Sequence, residues 1–251
     1  MIEFNQYEVW FITGSQTLYG DDTLRQVAQN SAEIVNYING SDRLPLNVVI
    51  QPTVKSSEEV TAIFKAANNS PKCVGIIAWM HTFSPAKMWI SGLNILQLPI
   101  LHFHTQYNRD IPFSTIDMDF MNLNQSAHGD REFGHILSKM KIQRKIVVGH
   151  WQSEDVLNQI GMWMRLAVGK HRMHHMKIVR FGDNMRYVAV TDGDKVSAEM
   201  KFGFSVNTHA VGDLVNYISD VDESSLQVLV EEYEASYQLV PALKKNGSQR
   251  K

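Results

Sequence analysis

The sequence predicts a doubly wound α/β protein, a parallel sheet of about five strands covered by helices on both faces, followed by a smaller, incomplete second α/β domain. Three observations lead there. Short runs rich in Val and Ile alternate with longer segments whose apolar residues fall at helical spacing. The short runs are apolar at nearly every position rather than every second one, the pattern of strands buried on both faces. Of the 251 residues, 44% are hydrophobic, enough for a substantial core.

The predicted strands of the first domain are 8–13 (EVWFIT), 46–50 (LNVVI), 73–79 (CVGIIAW), 99–104 (PILHFH) and 145–149 (KIVVG). Between them, Leu24, Val27, Ala28, Ile34, Val35 and Ile38 mark a helix over 23–38. Further helices are predicted at 58–67, at 85–96, around Phe133, Ile136, Leu137 and Met140, and at 156–168. The histidine-rich run 171–175 (HRMHH) reads as a solvated connector, which sets the domain boundary at 176/177. The second domain, 177–251, holds strands at 177–182 (KIVRFG) and 187–191 (YVAVT), helices at 211–221 and 225–237, and a polar tail at 244–251. About 75 residues make a poor independent core. The apolar faces of the last two helices are therefore expected to lie exposed or to pair with another copy.

Charge excludes some partners. Lys and Arg number 24 against 26 Asp and Glu, with no basic block longer than the final residues, so neither nucleic acid nor an anionic membrane is expected. A small neutral or weakly charged ligand fits better. The first residues, MIEFNQYEVWFI, lack a basic region followed by a long apolar stretch, and no segment reaches membrane-spanning length. A cytoplasmic location is expected. Cys73, the sole cysteine, sits inside an apolar strand and reads as a buried, unreactive thiol.

Ligands of such sheets sit at the carboxyl ends of the strands. The first strand leaves into Gly14-Ser-Gln-Thr-Leu-Tyr-Gly20, whose glycine spacing is not that of a dinucleotide fingerprint and which no P-loop lysine follows. A nucleotide is excluded, while Gln16 and Tyr19 offer an amide and a phenol, or else serve as a turn residue and a packed ring. The third strand leaves into HTFSPAKMW, where Ser84 and Pro85 read as a helix cap and first helical residue. His81 and Phe83 precede that cap and are expected to project from the sheet edge. His102 and His104 share one face of the fourth strand. With no carboxylate or third imidazole evident beside them, they read as core or edge histidines rather than metal ligands.

The most distinctive stretch is 117–135, DMDFMNLNQSAHGDREFGH. It has no lysine and one arginine, but Asn122, Asn124, Gln125, Ser126 and His128 crowd it with groups that both donate and accept hydrogen bonds. Two readings stand: a helix-turn-helix junction capped by Ser126 or Asp130, or a wall for a ligand rich in hydroxyls. His128 and Glu132, four apart, would share a helix face with Asp117 or Asp119 near them, a weak metal pattern.

Taken together, GSQTLYG at 14–20, HTFSPAKMWI at 81–90, FHTQYN at 103–108, IDMDFMNLNQSAHGDREFGH at 116–135, GHW at 149–151, RFGDNMR at 180–186 and VAVTDGDKV at 188–196 resemble bacterial L-arabinose isomerase, over a region reaching about residue 241. The resemblance implies a Rossmann-like first domain at 1–176, part of a central α/β domain at 177–251, and a C-terminal barrel-like domain that this chain does not carry. It implies aldose–ketose isomerisation of L-arabinose to L-ribulose in arabinose catabolism. In the family Mn2+ polarises the sugar oxygens, held and served by two glutamates and two histidines beyond these residues, so no catalytic or metal-ligating position is inherited and no metal is expected on this chain alone. What is inherited is a sugar-facing set, Gln16, Leu18, Tyr19, Phe83, Gln125, His128 and Met185, in a site built between subunits of an oligomer. The expectation is a protein inactive by itself, with two alternatives: half of a split isomerase completed by a C-terminal half on another chain, or a non-catalytic sugar-binding or oligomer-modifying protein.

Overall fold

The computed structural model describes residues 4–240, so the polar tail 244–251 lies outside the described residues. The chain divides into two compact units, Met1–Arg172 and Met173–Lys251.

The first unit is built on five parallel strands: β1 (Glu8–Gly14), β2 (Asn47–Ile50), β3 (Cys73–Met80), β4 (Ile100–His104) and β5 (Arg144–Val148), in the order β2-β1-β3-β4-β5. This is the doubly wound order whose winding direction switches between β1 and β3. Helices α1 (Gly20–Asn39), α2 (Ser57–Asn69), α3 (Ile90–Ile95), α4 (Met118–Leu123), α5 (Ser126–Lys139) and α6 (Glu154–His174) make the crossovers. Every residue of β3 is buried, as its unbroken apolar run requires. On one face, Val9, Phe11, Trp79, Leu101 and Phe103 pack against Ile34, Val35 and Ile38 of α1 and Ile160, Trp163 and Met164 of α6. On the other, Ile12, Ile76, Ala78, Met80 and Ile100 meet Val60 and Phe64 of α2, Leu93 of α3, and Phe133 and Leu137 of α5.

The register of β1 against β3 slips once, Glu8 pairing with Cys73 and Val9 with Gly75. Val74 is the extra residue of a bulge. Gly75 next to it faces Trp163 so closely that an added Cβ would lie 2.8 Å from the indole ring. Helix α2 begins where Ser56 accepts from Glu59 N and Glu59 Oε2 accepts from Lys55 N, a reciprocal cap.

Several expectations are corrected. The segment after β3 is a 3-10 turn, Ala86–Trp89, running into the short α3. Ser84 does not cap it. Its hydroxyl accepts from Trp89 Nε1 and faces Met88 Sδ, while the free Ala86 N–H is taken by Glu132 Oε2 from α5. The histidine-rich run is not a connector, because α6 continues through it to His174.

The second unit holds β6 (Lys177–Phe181) and β7 (Ser205–His209), a parallel pair, with α7 (Lys195–Phe202), α8 (Val211–Asp220) and α9 (Glu223–Ser236). The strand expected at 187–191 is instead an irregular segment with a 3-10 turn, Ala189–Thr191, and Tyr187 takes a left-handed φ of 64°. The partner of β6 is the polar run SVNTH. None of the described side chains of this unit is buried. Val211, Val215 and Ile218 on α8 and Val228, Leu229 and Tyr233 on α9 are exposed, as expected from their number against the size of the unit. Among the described residues no helix is long and apolar enough to cross a membrane.

Candidate functional site

The loops at the carboxyl ends of β1, β2 and β3 are tied together by polar groups. Ser15 N donates to Val54 O, and the Ser15 and Thr82 hydroxyls meet at 2.8 Å, joining the first loop to the third. A Cβ on Gly14 would fall 2.5 Å from Ser84 Oγ and 2.8 Å from Trp89. The first glycine of GSQTLYG thus serves close loop packing.

His81 does not project from the sheet edge. It is fully buried, stacked on Trp79 at 4.4 Å between ring centroids, with Asn30 Nδ2 donating to its Nε2 at 2.7 Å. Its Nδ1 meets no hydrogen-bond partner. Burial holds this imidazole down to about 4.

The polar stretch 117–135 forms a helix-turn-helix junction, and it also lines a cavity. Asp117 caps α4 by accepting from Phe120 N at 2.8 Å. Neither Ser126 nor Asp130 caps α5: Ser126 Oγ donates to His81 O across to the end of β3, and Asp130 is buried. Between α4 and the loop after β4 lies a cavity of about 550 Å³, a size common to small-molecule pockets. Ile111, Ile116, Phe120 and Met121 form its apolar wall, while Gln106, Asn108, Asn124, Gln125 and His128 provide polar groups. His128 stacks on Phe83 at 4.3 Å, and Gln125 Nε2 donates to Asn122 Oδ1 at 3.2 Å. Such a surface can exchange hydrogen bonds with several hydroxyls while ring carbons lie on the apolar side.

Phe83, Gln125 and His128 therefore come together. Gln16, Leu18 and Tyr19 occupy the loop after β1, where Leu18 is 82% exposed on the turn Thr17–Tyr19, and none of the three is among the cavity's lining residues. Met185 is exposed in the second unit, after β6. The proposed pairing of His128 with Glu132 does not form a ligand set, since the one stacks on Phe83 and the other accepts from Ala86 N. Gln106 and Asn108 were not singled out from the sequence. Both lie in the polar FHTQYN motif at the end of a strand, and this was the available signal.

A second cluster lies beneath the loops. His102 and His104 do have a carboxylate beside them: His102 Nε2 is 2.8 Å from Asp130 Oδ1, His104 Nε2 is 3.0 Å from His102 Nδ1, and His104 Nδ1 is 3.9 Å from Asp130 Oδ2. Asp130 lies 28 positions from His102 and reads in the sequence only as a helix-cap candidate, so its pairing with that histidine was not legible. Burial raises the Asp130 carboxyl and lowers the His102 imidazole, with His104 and the Arg144 cation adding to the second shift. Both directions favour an uncharged pair sharing one proton.

A parallel sheet wound in this order, with amide and imidazole groups beyond the carboxyl ends of its strands, defines a doubly wound α/β domain. Residues 3–175 match the family model described as the L-arabinose isomerase N-terminal domain, and residues 177–251 match the one described as the L-arabinose isomerase central domain. The chain belongs to the L-arabinose isomerase family. It is 54% identical over 250 residues to proteins named L-arabinose isomerase from Enterobacter sp. (strain 638), Klebsiella pneumoniae (strain 342) and Salmonella typhimurium, covering 100% of this chain and 50% of each relative. The chain thus spans about half the length of these relatives.

Proposed function

We propose that this chain supplies one wall of the pentose-binding cavity of an L-arabinose isomerase, which converts L-arabinose to L-ribulose. The observation that carries this reading is the grouping of Gln125 and His128 on the wall of one cavity, with His128 stacked on the ring of Phe83, which is not itself a lining residue. In it Gln125 and His128 bind sugar hydroxyls and Phe83 excludes water from one side. Gln16, Leu18 and Tyr19 in the first unit and, separately, Met185 in the second are assigned sugar-facing roles by the family resemblance. Moving a hydrogen between two sugar carbons needs a base, an acid and a stabiliser of the enediolate. Those groups belong to residues other than the ones named here.

The same reading brings Mn2+, which would polarise the sugar oxygens. The one histidine–carboxylate cluster among the described residues has two imidazoles to one carboxylate, whereas Mn2+ suits carboxylate, carbonyl and water oxygens. Manganese would thus be held by other residues, and no step is assigned to it on this chain. Association with further copies, or with a chain carrying the C-terminal half, is supported by the exposed apolar residues of α8 and α9. A cytoplasmic setting accompanies a catabolic enzyme of free sugars.

Titration of the full chain with L-arabinose, followed by calorimetry or protein NMR, tests the cavity. Binding is expected, and Gln125→Ala and His128→Ala are each expected to weaken it by about tenfold, the loss of one good hydrogen bond. Unchanged affinity in both variants would refute the site. With Mn2+ present, ketose formation is expected only after mixing with a C-terminal half, and turnover by the chain unaided would refute the division of labour.

A further inference from the structure

We propose that His102, His104 and Asp130 bind a transition-metal dication of the Zn2+ class. The scaffold for such a site is already rigid. β4 is hydrogen-bonded on both sides, with His102 opposite Ala78 and Ile146 and His104 opposite Val148. Side chains two apart on a strand share a face, so both imidazoles point toward α5. That helix is held in place on either side of Asp130. A Cβ on Gly129 would lie 2.9 Å from Met80 Cβ, and Phe133 packs edge-on against His102 at 4.9 Å. As a result one ligand atom from each of the three residues lies within 4.8 Å of the others.

These separations suit a cation. Bonds of about 2.0–2.2 Å to nitrogen and oxygen place ligand atoms roughly 3–4 Å apart. The hydrogen-bond contacts of 2.8 and 3.0 Å and the 3.9 Å ion pair use both ring nitrogens of each histidine, whereas one ligand atom per residue gives a set within 4.8 Å, so the side chains close by up to about 1 Å on binding. Two imidazoles with one carboxylate select Zn2+, Co2+ or Ni2+ over Mg2+ or Ca2+. His102 and Asp130 are nearly inaccessible, at 0% and 3% side-chain exposure, while His104 at 29% provides the way in and leaves room for a water as a further ligand. Among the described residues Asp130 has ion pairs only with these two histidines, so no lysine or arginine has taken the place of a metal beside its carboxylate. Arg144 acts electrostatically on both histidines and opposes an added positive charge. The competing account is a metal-free hydrogen-bonded chain running Asp130–His102–His104.

The test is a titration of the dialysed full chain with Co2+ alone and Zn2+ alone. One equivalent is expected, with the visible absorption of Co2+ in nitrogen and oxygen coordination. His104→Gln and Asp130→Asn, checked for folding by circular dichroism, are each expected to weaken binding by at least about tenfold. Arg144→Gln is expected to tighten it, and His174→Gln, in the other histidine-rich segment, to leave it unchanged. Without any substitution, bound Co2+ should shift the ring protons of His102 and His104 in the paramagnetic NMR spectrum. Absence of binding, binding that survives both ligand substitutions, or bound Co2+ without those shifts would overturn the site.

Discussion

His81 shows how one buried side chain sets a pH response. Its imidazole is enclosed between Trp79 and Asn30 and held near 4, against an ordinary value of about 6.5. The unfolded chain takes up that proton more readily, so the stabilisation is fully present above about pH 6.5 and is lost as pH falls toward 4. The interval corresponds to a loss on the order of 3 kcal/mol. Urea unfolding at pH 6.5 and 4.5 should therefore show a larger drop for the native sequence than for His81→Gln; equal drops would contradict the assignment. At this scale the sequence was read unevenly. Cys73 is the buried thiol its strand implied, pushed up to about 12 by burial. Glu132 and Asp130 were noticed but given other roles, because what they do depends on Ala86 and His102, neighbours in space that no local pattern encodes.

Among the elements, β3 is the one most exposed to a small change. Gly75→Ala would drive a methyl group into Trp163, against a backbone already carrying a bulge, and is expected to destabilise by about 1–3 kcal/mol and to shift the tryptophan fluorescence. Gly169, in α6 with open space around its Cα, is the contrast: Gly169→Ala should be neutral or stabilising by up to about 1 kcal/mol. Thermal unfolding of the two variants separates packing from helix propensity. Strands of the first unit were legible because each is apolar enough to be buried on two faces. β7 was not, since SVNTH has no apolar side to betray it, while the more apolar YVAVT had the composition of a strand and no partner to pair with.

At the scale of the whole molecule, the two core clusters lie entirely within the first unit, and the second buries no described side chain. With the domain boundary we place at 176/177, residues 1–176 alone should unfold cooperatively, with the same response to Gly75→Ala, whereas 177–251 alone should show no cooperative transition. The full chain is expected to sediment as an associating species, and Val215→Lys with Ile218→Lys, on one face of α8, to move it toward monomer. A monomeric native chain would remove the basis for association through this face. The family was legible from motifs spread over both units; the cavity was legible only in part, because its apolar wall comes from Ile111, Ile116 and Met121, ordinary residues until the loop after β4 gathers them.

The place of β1 between β2 and β3 also bears on synthesis. Both of its hydrogen-bonding neighbours leave the ribosome after it does, and parallel pairing allows no hairpin to cover it in the interval. A nascent chain arrested before Met80 therefore carries an apolar ribbon with an open edge, the kind of segment that chaperones must shield and that aggregates when they do not.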